Sequence, residues 1–175
     1  MRSINTVREL IETCKGDGLC ERAEELETVC DNVRNKTGIC LDNAQVCKLE
    51  AGVAGQYRIG TKEGQGIKLD SNLVCQDISM ITNVAMHEAI HAMVDKEIAD
   101  TAGVRTHKID DEEGGVTILA NVISEQLTGV RVSKTAYPED VQRVTRMGIM
   151  DLTLLTALNR VAKKVGASTK FKQAA

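Results

Sequence analysis

His87-Glu88-Ala89-Ile90-His91 is a stretch whose residue types and spacing could do chemistry of a definite kind. Residues i and i+4 of an α-helix share a face, about one turn apart. Two imidazoles so placed can bind one metal ion while the backbone hydrogen bonds of the helix hold them fixed, and HExxH points to Zn2+. Glu88 lies about 100° further round the helix. That is too far for an easy third ligand, but close enough to reach a water at the metal, as a general base must. With 3 histidines in 175 residues and glutamate at roughly 8%, the pattern arises by chance in about one such chain in 250.

A catalytic zinc takes three protein ligands and keeps a fourth position open. Downstream of His91 the candidates are His107, Glu112, Glu113 and Glu125. His107 lies 16 residues past His91, in a segment between helices. It reads either as a surface loop residue or as an electrophile near a substrate carbonyl. Glu113 lies 22 residues past His91, at the start of a helical stretch. It is either the third ligand or the closing residue of a D-x-x-E capping box with Asp110. Glu125 reads as a solvated helix residue, or as the ligand if that helix is rotated. Gly114 and Gly115 would weaken a free helix, and they make sense where it must approach the metal-bearing helix closely. Tyr137, before Pro138, is either a structural tyrosine or a hydrogen-bond donor to an oxyanion.

HExxH followed some twenty residues later by Glu-Gly on a new helix resembles the gluzincin metallopeptidases, the thermolysin and aminopeptidase group. Here the matching residues are His87, Glu88, His91 and Glu113-Gly114. The spacing is also similar to the mitochondrial metallopeptidase family that processes an ATP-synthase subunit. That family too has a G-I-x-L strand ahead of its metal helix, like Gly66-Ile67-Lys68-Leu69. The resemblance covers roughly residues 66–127. Ala89 stands where those families usually carry Leu, and Thr117 where an Asp would support a ligand histidine. The resemblance implies a zincin-like fold, with Zn2+ held by His87, His91 and Glu113 and with Glu88 as general base in the hydrolysis of a peptide or protein substrate. The alternative is a non-catalytic zinc-binding structural or interaction protein of the same fold. A cysteine of the N-terminal half closing the fourth position would mark it.

The elements that must position these residues read as one α+β domain spanning residues 1–175, a length that suits a single core. The first part, 1–40, is helical, with helices over Thr6–Cys14 and Leu19–Asn35; the second presents Leu19, Ala23, Leu26, Cys30 and Val33 on one face. Residues 45–75 form a small, mostly antiparallel sheet from Gln45–Leu49, Gln56–Ile59 and Gly66–Asp70, with a turn over Thr61–Gly66. If the last of these strands lies at the sheet edge, it can hold an extended peptide. Residues 77–166 hold the metal-site and scaffold helices. One is capped by Asp77 and runs to about Lys96. Another, capped by Asp110 or Asp111, ends near Gly129, and a long one runs from Pro138 to about Val165. Its stripe of Val141, Val144, Gly148, Leu152, Leu155, Leu158 and Val165 is a core face. The tail 167–175 reads as loose.

Composition narrows the function classes. Aromatics are 2%, namely Tyr57, Tyr137 and Phe171. The core is therefore aliphatic, and modules that stack nucleic-acid bases on exposed rings are disfavoured. A net charge of -3 leaves no broad basic face for a phosphate backbone. No apolar run reaches the roughly 18 residues of a membrane span. The start lacks the apolar region of a signal peptide, so a cytoplasmic location is expected. The six cysteines, at 14, 20, 30, 40, 47 and 75, show no CxxC spacing. They read as free, mostly buried thiols, with disulfides in an oxidising space as the alternative.

Overall fold

A computed structural model describes residues 4–60, 66–132 and 136–174. Among them the chain forms six α-helices and a three-stranded mixed sheet, an α+β arrangement. Helix α1 (Val7–Gly16) starts where the Thr6 hydroxyl accepts the Glu9 N–H at 3.2 Å. It buries Val7, Leu10, Ile11 and Cys14, one face at helical spacing. Helix α2 (Cys20–Thr37) buries Ala23, Leu26, Val29 and Val33 and ends at Gly38, which has φ 75°. Leu19, expected on that face, is exposed, because the helix begins only after it.

Strands β1 (Gln45–Cys47), β2 (Gly55–Tyr57) and β3 (Ile67–Asp70) pair in the order β1-β3-β2. β3 lies parallel to β1 and antiparallel to β2. The sheet is thus mixed rather than mostly antiparallel, since β3 inserts between two strands that short connections alone would have paired. The segment Gly66–Asp70 is consequently at the centre of the sheet, and the edge role expected for it falls to β2. The outer side of β1 is covered by the chain's start, with Val46 N–H donating to Asn5 C=O and Val7 N–H to Ala44 C=O, both at 3.0 Å. The turn over Thr61–Gly66 lies, apart from Gly66, outside the described residues.

Helix α3 (Ile78–Ala102) carries the HExxH residues and is buried on all sides from Ala85 to Asp95. Helices α2, α4 and α6 and the β2 strand enclose it, and the buried stretch includes the polar His87, Glu88, His91 and Asp95. It runs six residues past Lys96. Ile98 remains buried there, and Glu97 is held by Lys164 and, at 3.6 Å, by Arg160 of α6. Met86 and Ile90 on α3 and Leu119 and Ile123 on α4 are fully buried, each contributing about 1.5–3 kcal/mol by removal from water.

Helix α4 (Glu112–Thr128) follows Asp111, which sits at its N-cap position with φ 71°. The Asp111 side chain does not cap. It instead accepts from Arg143 Nε at 2.6 Å and from Met150 N–H at 3.4 Å, tying α4 to the segment that follows. The long helix expected from Pro138 to Val165 is two helices, α5 (Pro138–Met147) and α6 (Leu152–Val165). The break is at Gly148, φ 88°, where a Cβ would stand 2.6 Å from Lys172 O. The tail occupies that space. Ile149 N–H donates to Lys172 C=O at 2.9 Å, and Ala174 N–H to Ile149 C=O at 3.0 Å. The tail is therefore packed, not loose. Of the expected stripe, Val144, Leu158 and Val165 are buried, whereas Leu152 is exposed by the break.

All six cysteines are free thiols, but only Cys14 is buried, and Cys20 and Cys75 are exposed. Among the described residues, no helix is long and apolar enough to cross a membrane.

Candidate metal centre

One turn of α3 brings His87 and His91 to the same face, with ring centroids 4.8 Å apart and planes at 73°. Their Nε2 atoms are 3.1 Å apart. The first turn of α4 supplies a third atom. Glu113 Oε2 lies 3.2 Å from His87 Nε2 and 3.1 Å from His91 Nε2. Two ring nitrogens and a carboxylate oxygen thus converge on one point, and these three residues could hold a metal ion. Bonds of about 2.0–2.1 Å at tetrahedral angles put ligand atoms roughly 3.3 Å apart, so the spacing fits zinc.

Glu113 is therefore not the cap of α4 that a D-x-x-E reading allows. The Ile109 N–H at that turn is taken by the neighbouring Glu112 at 3.2 Å. Glu125 and His107 are exposed and stand outside the convergent group. His107 has instead a 3.5 Å contact with the Thr106 hydroxyl. Gly114 and Gly115 do serve close packing, but against other helices than expected. A Cβ on Gly114 would stand 2.5 Å from Asp140 O of α5, and one on Gly115 2.5 Å from Leu158 Cδ1 of α6.

Glu88 is 5% exposed, is not one of the three converging residues, and has its Oε1 against Gly55 of β2. A Cβ on Gly55 would lie 2.8 Å from its Oε1 and 2.8 Å from Val84 Cγ1, so glycine leaves the room this carboxylate occupies. Burial pushes the Glu88 carboxyl up to about 7, against the opposing positive charges of His91 and Lys108. Burial likewise lowers His87 to about 4, against the pull of Glu113. Its neutral form is the one that ligates metals. For Glu113, burial would raise the carboxyl, but hydrogen bonds to His87 and His91 hold it well below the usual range. Tyr137 stacks on His87 at 5.7 Å between centroids and 19° between planes, 45% exposed. Desolvation and the carboxylates of Glu113 and Glu88 push its phenol up, so it stays protonated and able to donate.

Several roles around the site are not evident from sequence, although Glu112 is among the ligand candidates and Thr117 marks a departure from the family pattern. Glu112, adjacent to Glu113, is fully buried and accepts from His91 Nδ1 at 2.8 Å. Arg105, from the loop between α3 and α4, pairs with both Glu112 oxygens, Nη2–Oε1 at 2.9 Å. Lys108, in the same loop, pairs with Glu113 Oε1, the oxygen turned away from the histidines. On His87 the corresponding Nδ1 neighbour is the Thr117 hydroxyl, at 3.5 Å. Comparison of the chain with protein-family models, curated proteins and solved structures gives no match.

Proposed function

We propose that the chain is a zincin-like, gluzincin-type metallopeptidase that hydrolyses peptide bonds with Zn2+ held by His87, His91 and Glu113. The observation that carries this is the convergence of those three ligand atoms beside a buried carboxylate, Glu88, that is not one of them. The bound ion supplies Lewis acidity, making water acidic near neutral pH and polarising a carbonyl. Glu88 takes the proton from the attacking water and delivers it to the leaving amine. Its carboxyl, shifted toward neutrality by burial, suits both halves of that transfer. Tyr137, whose ring stacks on His87, donates in this reading to the oxygen that becomes negative. The edge strand β2 passes Glu88 at Gly55, so an extended peptide laid along it by main-chain hydrogen bonds would run within reach of that carboxylate.

Glu88→Gln deletes the base and no ligand. It is expected to bind zinc like the wild type and to lose about 10²–10⁴-fold in peptide cleavage. A mutant that cleaves at the wild-type rate contradicts the role. Zinc-loaded wild type that cleaves none of a diverse peptide library favours the non-catalytic zinc-binding reading instead.

A further inference from the structure

We infer that Arg105 is a positioning residue for the metal centre, acting through Glu112 on His91; the inference rests on the metal-binding reading above. His91 is fully buried, and its two ring nitrogens face different groups: Nε2 faces His87 and Glu113, and Nδ1 faces Glu112 Oε1 at 2.8 Å. A carboxylate accepts only, so Nδ1 carries the proton and Nε2 keeps the lone pair a metal requires. Glu112 thereby fixes both the tautomer and the tilt of the ring.

Glu112 has no exposed surface, and burying a charge without a partner is costly, so its place behind His91 calls for a countercharge. Arg105 supplies it. Its guanidinium forks onto both Glu112 oxygens, while Nε donates to Asp95 Oδ1 at 3.1 Å. Asp95, on α3 one turn beyond His91, is held in its turn by Tyr57 OH at 2.8 Å and Gly60 N–H at 2.9 Å through Oδ2. The chain of contacts therefore runs from the β2 strand through α3 and the 103–111 loop to the start of α4. It ties together the elements that supply the histidines and Glu113. Arginine suits this junction because one planar cation can serve two carboxylates at fixed angles, which a lysine ammonium cannot.

Removing Arg105 altogether leaves Glu112 and Asp95 buried without countercharge, so milder variants carry the test. Glu112→Gln keeps an acceptor oxygen but loses the charge, and Arg105→Lys keeps the charge but loses the fork. Each is titrated with Zn2+ against a competing chelator and with Co2+, whose visible d–d absorption reports ligand geometry; circular dichroism and thermal melting check the fold. Folded variants are expected to bind Zn2+ about 10–100-fold more weakly than wild type, with an altered Co2+ spectrum. A merely structural role would lower the melting temperature and leave both metal readouts alone. Zn2+ affinity within about twofold of wild type and an unchanged Co2+ spectrum in a folded variant overturn the inference. Should Glu112→Gln fail to fold, Arg105→Lys decides by the same readouts. Wild type that binds neither ion overturns the metal-centre reading itself, and this role with it.

Discussion

Gly114 directly follows the ligand Glu113, and its replacement by alanine sets two effects of known size against each other. In a free helix the change would stabilise by about 1 kcal/mol. Here the added Cβ would stand 2.5 Å from Asp140 O and 2.7 Å from Asp140 C, some 0.9 Å inside the 3.4 Å at which ordinary contact begins. Both are backbone atoms of α5 and cannot rotate aside. Overpacking costs about 1–3 kcal/mol, and an immovable partner puts this case at the upper end. The net is a loss of about 2 kcal/mol, or roughly 4–8 °C in melting temperature for a chain of this size. Gly115→Ala makes a useful control. Its Cβ would meet Leu158 Cδ1 at the same 2.5 Å, but that atom ends a flexible side chain, so the loss is expected at about 0–1 kcal/mol. Urea unfolding followed by circular dichroism measures both. Gly114→Ala as stable as wild type, or less harmful than Gly115→Ala, would refute the close approach of α4 and α5.

Zinc affinity should fall sharply in Glu113→Ala and stay within about threefold of wild type in Glu125→Ala and His107→Ala, both exposed outside the convergent group. Chelator competition on the three proteins measures this, and a loss confined to Glu125→Ala would place the ligand elsewhere on α4. Thiol labelling with mass spectrometry should modify Cys20 and Cys75 first in the native protein. Cys30, whose thiol burial pushes up to about 12, should react only on unfolding, because the thiolate is the reactive form. Prompt native-state labelling of Cys30 would contradict its partly buried placement against the core.

The parts of the site that could be read from sequence are those that a single element dictates. His87, Glu88 and His91 sit within five residues of one helix, so helical period alone decides which face each occupies. Glu113 could be weighed because a new helix begins beside it, yet spacing could not decide between ligand and cap. The distinction depends on where α4 lands against α3. Glu112 was open to the same ambiguity, since two adjacent acids give no sign of which faces the metal and which faces the ring behind it. Arg105 left no local trace: its role comes from reaching Asp95 and Glu112 at once, across a loop. In the fold, Gly148 ended what reads as one helix because the chain's tail packs against it, a contact between distant residues. The position of β3 was hidden for a related reason. Connection length indicates which strands can pair, but not that a third strand inserts between them.

The most direct test of the metal centre is X-ray absorption at the zinc edge on protein loaded to saturation, with stoichiometry from elemental analysis. The account predicts one zinc per chain, with two imidazole nitrogens and carboxylate or water oxygens at about 2.0–2.2 Å and no sulfur in the shell. Less than half a zinc per chain after loading, or a sulfur ligand at about 2.3 Å, would contradict it.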